Sequence, residues 1–301
     1  MTASTDLQGR GAIVTGAGKG LGRAYALHLA TRGAKVLVNN RRHAGESDAQ
    51  TSAAQTVAAI RAAGGIAQAD WSDVTDPASG PAMVQQALEV FGALEIVVAN
   101  AGVDHPMAFQ KQGLADFRAI FDTSFFGNLH LAHAAWPHLL QQGHGRMVLT
   151  ASSAGLHANH GQSAYSAAKA AVIGLMRALA IEGRRRDVRV NVIAPYGYSQ
   201  MTAPYMRPEM AQRFDPALVA PLVGWLCSPQ CDVTGEVLVS GAGLVRRAGT
   251  GESDAMALRD GPVADVVHAL QGQALQAYPS ANDSFARFLQ ELATCYPETT
   301  P

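Results

Sequence analysis

The chain has 301 residues, 48% of them hydrophobic, enough for one large domain or two small ones. Its net charge of −1 gives no electrostatic basis for binding nucleic acid or an anionic membrane, the start MTASTDLQGR has no apolar leader core, and no apolar run reads as a membrane span. The three cysteines, Cys227, Cys231 and Cys295, form neither a CxxC nor an even framework, which points to a reducing, cytoplasmic setting, and the ten histidines have no carboxylate or cysteine at ligand spacing, so no metal is expected.

Arg10 to Thr15 reads as a short buried strand that runs into Gly16, Ala17, Gly18, Lys19, Gly20, Leu21 and Gly22, then a helical pattern. Strand, glycine turn and helix is the context a phosphate-binding turn requires, because glycine permits close backbone approach and a helix N-terminus favours an anion. Lys35 to Asn39 reads as the second strand, at whose end an acidic residue would bond the ribose of NAD. Asn40, Arg41 and Arg42 stand there instead, with Lys19 in the turn, which tilts the balance toward NADP(H) over NAD(H). The alternative is that these cations are solvated loop residues and Asn40 still bonds the ribose of NAD.

Ser47 to Ala63 is helical in pattern, and Ile66 to Ala69 is a weak third strand followed by Asp73 and Val74, which could flank adenine. Pro81 to Phe91 suggests a helix, and Leu94 to Ala99 a fourth strand that ends in Asn100, Ala101 and Gly102. Gly113 to Gln142 carries one long helical pattern, Arg146 to Ala151 is a fifth strand delivering Ser152, and Ser163 to Arg184 is a helix carrying Tyr165 and Lys169. Arg189 to Ala194 is a sixth strand, closed by Pro195. Tyr196 to Phe214 is loop-like and a candidate substrate lid, Leu218 to Cys227 is helical, and Glu236 to Ser240 is a last strand. This alternation predicts an α/β fold, a Rossmann-type doubly wound parallel sheet flanked by helices over residues 1–245, with a helical C-terminal extension over 246–301. In that extension Val263 to Ala277 and Ser284 to Leu292 are amphipathic in pattern.

Tyr165 and Lys169 lie one helical turn apart on one face. An ammonium beside a phenol favours the phenolate, so the tyrosine is expected to fall from about 10 toward neutrality, where it serves as an acid or base. Ser152 would hold a carbonyl or alcohol oxygen. Taken alone, YxxxK also fits a packed tyrosine near an unrelated lysine. What favours the chemical reading is that every motif falls at the C-terminal end of a predicted strand, where open parallel sheets bind ligands.

These residues resemble the short-chain dehydrogenase/reductase family over about Gly9 to Leu244. The likeness rests on TGAGKGLG at Thr15–Gly22, NAG at Asn100–Gly102, Ser152 with YSAAK at Tyr165–Lys169, and NVIAP at Asn191–Pro195. Within the family, GLGRAYAL, AAWPHL and GQSAYSAAKAAVIGL are similar to the (3R)-hydroxyacyl-CoA dehydrogenase module of peroxisomal multifunctional enzymes. The resemblance implies that Tyr165 is the general acid or base, that Lys169 lowers its pKa and bonds the nicotinamide ribose, and that Ser152 polarises the substrate oxygen. It places Gly16, Gly20 and Gly22 at the pyrophosphate, Asn100 at the cofactor pocket, Ile193 at the carboxamide through its backbone, and Thr202 at the pyrophosphate or carboxamide.

Two departures stand out. Ser124 occupies the place of the family's usual Asn, which holds a water in a proton relay, and serine is shorter. Tyr196, Gly197 and Tyr198 follow Pro195 where Pro-Gly is usual; the two tyrosines form a substrate wall or pack under the lid. His157, Asn159 and His160 are expected in the substrate-side loop. The implied reaction interconverts a secondary alcohol and a ketone, the small-molecule partner being a 3-hydroxyacyl thioester, a steroid-like alcohol or another bulky carbonyl compound. A homodimer or homotetramer is implied, and the extension either covers a neighbouring subunit's site or caps one face of its own domain. The rival reading is a catalytically impaired NAD(P)-binding sensor or interaction protein, motivated by Ser124; a sugar-nucleotide epimerase would need a larger C-terminal domain.

Overall fold

The structure, a computed structural model, describes residues 6–258 and 261–295. The chain divides into two compact units, one ending at Arg247 and the other beginning at Ala248. Residues 1–5 and 296–301, within the expected leaderless start and the end of the extension, lie outside the described residues.

In the first unit, strands and helices alternate: β1 (Gly11–Val14), α1 (Gly20–Thr31), β2 (Lys35–Asn39), α2 (Ser52–Ala62), β3 (Ile66–Asp70), α3 (Ser79–Phe91) and β4 (Ile96–Ala99). There follow α4 (Leu114–Phe121), α5 (Gly127–Gln142), β5 (Gly145–Thr150), α6 (Ser153–His157), α7 (Ser163–Gly183), β6 (Val188–Pro195), α8 (Ala220–Leu226), β7 (Val237–Gly241) and β8 (Leu244–Ala248). The strands form one sheet in the order β3-β2-β1-β4-β5-β6-β7-β8, and every pairing from β3 across to β7 is parallel. Strands of such a sheet are covered on both faces and need continuous apolar runs. GAIV in β1 and IVVA in β4 supply them, with all eight residues buried. The chain leaves β1 toward β2 and β3, then returns to pair β4 on the other side of β1. That reversal opens a crevice beyond the C-terminal ends of β1 and β4, where a ligand fits an open α/β sheet.

Three features differ from the expected elements. The helical pattern over 113–142 is not one helix: a π-helical turn, Asp122–Phe126, separates α4 from α5. Such a turn sits as a single bulge inside otherwise α-helical chain, and the helical periodicity of the segments on either side does not mark it. β8 was not expected, because Leu244–Ala248 carries two arginines and lies almost wholly exposed. Ala242 and Gly243 both have positive φ, 52° and 75°, the geometry of a type I′ hairpin turn, which folds β8 back on β7. Finally, Ser163–Arg186 is long and apolar enough to cross a membrane, contrary to the sequence expectation. It packs against β5, β6 and α6 and buries Tyr165, Lys169, Val172, Ile173 and Met176, and 44% of its apolar window is buried.

The second unit holds α9 (Val263–Leu270), shorter than the expected Val263–Ala277, and α10 (Ala281–Cys295), longer than the expected Ser284–Leu292. Glu252 and Gln276 exchange two backbone hydrogen bonds of 2.9 and 2.8 Å. Arg287 joins Asp254 at 3.3 Å to Glu291 at 2.9 Å, and the Glu291 carboxylate accepts from the Ala255 amide at 3.3 Å.

Candidate functional site

The glycine turn is shaped by backbone proximity. A Cβ on Gly22 would lie 2.3 Å from the Gly16 carbonyl oxygen and 2.6 Å from Asn100 Nδ2, so only glycine fits. Gly16 has φ +61°, the left-handed region, and a Cβ there would meet the Ala101 backbone at 3.0 Å. Asn100 clamps this turn: its Nδ2 donates to the Thr15 carbonyl at 3.1 Å, and the Asn100 and Ala101 amides donate to Thr15 Oγ1 at 3.0 and 3.1 Å. No side chain caps α1 at Lys19, so the positive end of that helix remains available to an anion.

Beside the turn lies a cavity of about 280 Å³, lined by Gly16, Lys19, Asn40, Arg41, Asp73, Val74, Ala101 and Gly102 among others. The sequence-predicted nucleotide residues at the ends of β2, β3 and β4 thus meet in one place. Arg41 faces Asp73 at 3.8 Å with both side chains about half exposed. Arg42 turns elsewhere, pairing with Asp48 at 2.6 Å and lying over the Trp71 ring at 4.9 Å.

A larger cavity, about 650 Å³, continues from this turn to the end of β5 and takes in Gly20, Leu21, Gly22, Asn100, Ser152, Tyr165, Lys169, Pro195, Tyr196 and Thr202. Ser152 leaves β5 and caps α6, its Oγ accepting from the Ala154 amide at 3.1 Å. Lys169 is buried, donates to the Thr150 carbonyl at 2.7 Å, and its Nζ lies 5.8 Å from the centre of the Tyr165 ring. Burial drives the Lys169 ammonium down to about 8. Burial also pushes the Tyr165 phenol up to about 12; the Ser152 hydroxyl pulls it down, and the Asp104 carboxylate pushes it further up. The shift thus runs opposite to the expected fall toward neutrality: desolvation of the phenolate dominates, and Lys169, itself desolvated and bonded to a carbonyl, is not among the groups that pull it down.

Ser124 sits in the π-turn, fully buried. Its Oγ donates to the Val103 carbonyl at 2.9 Å and accepts from the Val103 amide at 3.0 Å. The short side chain thus spans the gap from helix to β4 loop. The Ser124 carbonyl accepts from Asn128 Nδ2 at 2.7 Å, a partner that no sequence motif marked. A Cβ built on Gly102 would stand 3.2 Å from Lys169 Nζ and 3.5 Å from Ser124 Oγ, which locates both beside the NAG turn.

Not every expected residue arrives. His157 is exposed at the end of α6 and does not line the large cavity, whereas Asn159 and His160 do. Tyr198 is outside it, held by its amide to the Phe214 carbonyl at 2.7 Å, while Tyr196 forms part of the wall. The Ile193 side chain is in the hydrophobic core, as fits an expectation that concerned its backbone alone, and its carbonyl accepts from the Ala151 amide at 2.8 Å with a second lone pair to spare. Sequence reasoning missed Asp104, Gln162, Tyr205 and Met206, which all line the cavity. Asp104 follows NAG by two residues, at the strand end already singled out, and that position was the available signal. Among the described residues no group of three or more His, Cys, Asp or Glu is placed to hold a metal ion.

The model of the short chain dehydrogenase family matches residues 10–210. A Mycobacterium tuberculosis protein named for the short-chain type dehydrogenase/reductases is 39% identical over 243 residues, 80% of this chain and 85% of its own length. The peroxisomal multifunctional enzyme type 2 of Mus musculus is 39% identical over 247 residues, 81% of this chain but 33% of the mouse protein. Among solved structures, a short chain dehydrogenase from Mycobacterium avium superposes with a TM-score of 0.80 at 34% identity, covering 91% of this chain and 98% of that one.

Proposed function

Because the chain belongs to the short-chain dehydrogenase family and is an oxidoreductase acting on CH–OH groups, we propose that its large cavity interconverts a secondary alcohol and a ketone with Ser152, Tyr165 and Lys169 as the working residues. The observation that carries this reading is that these three, from β5 and α7, share one cavity with the glycine turn. The residues fit a nicotinamide dinucleotide: Gly16 and Gly22 leave a cradle that a Cβ would fill, Asn100 stiffens it, and the N-terminus of α1 opens on it. When bound, the nicotinamide supplies or accepts the hydride. The chain's part is alignment and proton handling. Ser152 would orient the substrate oxygen. The Tyr165 hydroxyl would give its proton to that oxygen in reduction and take it in oxidation. Lys169 would hold the ribose and stabilise the phenolate. Lys19 and Arg41 beside Asn40 favour NADP over NAD, with Asp73 offsetting part of that charge.

The substrate reading extends to a 3-hydroxyacyl thioester or a steroid-like alcohol, supported by the likeness to the multifunctional enzyme, of which this chain spans a third. A homodimer or homotetramer belongs to the same reading.

Tyr165→Phe tests the mechanism. Turnover should fall about a thousandfold, while titration of the NADPH fluorescence still shows cofactor binding. Turnover within tenfold of the parent protein would refute the assigned role.

A further inference from the structure

The smaller cavity, beside the glycine turn, holds a hydroxyl to which no role has been given: that of Ser52, the first residue of α2. Ser52 is 7% exposed and lines the cavity. Its Oγ has no hydrogen-bond partner among the described residues, yet it is not sealed off as the unpartnered hydroxyls of Ser79 and Ser166 are. A Cβ built on Gly18 would lie 2.2 Å from Ser52 Oγ and 2.9 Å from Asn40 Cγ, so the hydroxyl stands where the glycine turn, the end of β2 and α2 meet. Thr56, one helical turn on, ties α2 to that place: its Oγ1 reaches the Gly18 carbonyl at 3.3 Å and the Ser52 carbonyl at 3.1 Å.

Donors and acceptors are unevenly spent around this hydroxyl. Thr51 caps α2 by accepting from the Ala54 amide at 3.3 Å, which leaves the Ser52 and Ala53 amides with no acceptor among the described residues. α2 has 11 residues, so the positive end of a full helix meets the cavity at Ser52. The carboxylates nearby are already taken. Asp73 Oδ1 accepts from the Thr75 amide and hydroxyl, both at 2.9 Å, and its Oδ2 faces Arg41 at 3.8 Å. Asp70 accepts from Asn39 Nδ2 and from the Ser72 amide and hydroxyl. Lys19 and Arg41 add two cations to the lining. Free donors, spent acceptors and a helix N-terminus together suit an acceptor-only anion better than a ribose hydroxyl, which both gives and takes.

We infer that Ser52 is a specificity-determining residue for the cofactor: its hydroxyl and the first amides of α2 donate to the 2′-phosphate of NADP, while Lys19 and Arg41 supply the field around it. This rests on the proposed preference for NADP and adds to it a neutral, almost buried side chain on a different element from Arg41. A hydrogen bond from such a donor to an anion is about twice as strong as a neutral one, and salt screens it less than it screens an exposed charge. The contribution of Ser52 therefore survives high salt, where that of Arg41 fades.

The test titrates the full chain by calorimetry, at low and high salt, with 2′,5′-ADP and 5′-AMP, which differ only in the 2′-phosphate and carry no nicotinamide. The parent protein should bind 2′,5′-ADP more tightly than 5′-AMP. Ser52→Ala should weaken 2′,5′-ADP about tenfold at both salt concentrations and leave 5′-AMP within about twofold. Ser52→Asp, which sets a carboxylate in the phosphate's place, should weaken 2′,5′-ADP about 100-fold, again with little effect on 5′-AMP. Both variants should fold, because alanine is a strong helix former and aspartate is favoured in the first turn of a helix; matching melting curves check this. A parent that favours 2′,5′-ADP while Ser52→Ala alters neither affinity overturns this inference alone. So does an equal loss for both ligands, which would mark Ser52 as a packing residue. A parent that binds the two ligands equally, or binds neither, overturns the NADP reading, and this inference with it.

Discussion

A buried cation sits at each end of β5, Arg146 from the strand itself and Lys169 reaching it from α7, and the two are treated in opposite ways. At its start Arg146, 2% exposed, donates to four backbone carbonyls: Ser228 at 3.0 Å, Gly145 and Asp187 at 2.9 Å, and Pro229 at 3.3 Å. It also reaches the Asp187 carboxylate at 3.4 Å, which His144 and Arg189 share at 2.9 and 3.2 Å. At the other end Lys169, also 2% exposed, makes one hydrogen bond, to the Thr150 carbonyl at 2.7 Å. Desolvation acts on both, but the guanidinium recovers what it loses through a full set of acceptors, and the ammonium does not. At the arginine end burial pushes the Asp187 carboxyl up, yet His144, Arg146 and Arg189 together hold it below its ordinary value. At the lysine end, with no carboxylate to oppose burial, the lysine falls to about 8. A charge that is completely paired fixes structure. A charge left short of partners has capacity to spend on a ligand, and here it lies in the cavity with Tyr165 and Ser152.

The largest effect expected outside Tyr165 is on the arginine end. Arg146→Met should destabilise the fold by about 3–5 kcal/mol, because four carbonyls lose their donor in a buried site. Urea unfolding measures it, and the activity of the molecules that remain folded should stay near that of the parent. A loss below 1 kcal/mol would show that the dense bonding at Arg146 is no more valuable than a surface pair, and the contrast would collapse.

Lys169→Met should do the reverse. Turnover should drop about a hundredfold while the fold becomes more stable at pH 7, because a desolvated charge is replaced by a methionine. The sign follows from the direction of the shift. The folded pKa of Lys169, about 8, lies below its ordinary 10.5, so the unfolded chain holds the proton more tightly. The cost to folding is complete below pH 8 and is relieved as pH rises toward 10.5. Melting temperatures of variant and parent should therefore differ most at pH 7 and converge by about pH 10. Tyr165 runs the other way: its pKa is raised to about 12 from 10, so its contribution is present below pH 10 and is lost as pH rises beyond it. A parent protein more stable than Lys169→Met at pH 7 would mean that the lysine is better paired than its single bond implies.

What could be read from the sequence follows the same division. The glycine turn and the Tyr165–Lys169 spacing are legible because local chain geometry dictates them: strand, turn and helix in one case, one helical turn in the other. The parallel sheet follows from apolar runs such as GAIV and IVVA. The setting of Asp104 was not legible because it depends on a hydrogen bond from Gln162, 58 residues away. The partners of Ser124 were hidden for a related reason: they depend on the π-turn, which brings its hydroxyl to both backbone groups of Val103. The direction of the Tyr165 shift depends on how much burial α7 imposes, and periodicity reports which face is buried without reporting how dry it is.

A third cation sets the lower bound of the comparison. Arg41 is 57% exposed and already shares its charge with Asp73 at 3.8 Å. In that solvated setting a single charge contributes about 1 kcal/mol, far less than either end of β5. If Lys19 and Arg41 set the preference for NADP, Arg41→Asp should lower the ratio of kcat/KM for NADP to that for NAD about tenfold, through KM and with kcat unchanged. Asp73→Asn should raise the ratio by a smaller factor, since it frees Arg41 without adding charge. Raising the salt concentration should shrink both effects, because exposed charges are screened within about 10 Å at 0.1 M. The kinetics of both cofactors at low and high salt decide the matter: ratios that do not move in either variant would show that Arg41 is an ordinary solvated loop residue, and that other groups of the cavity govern the cofactor.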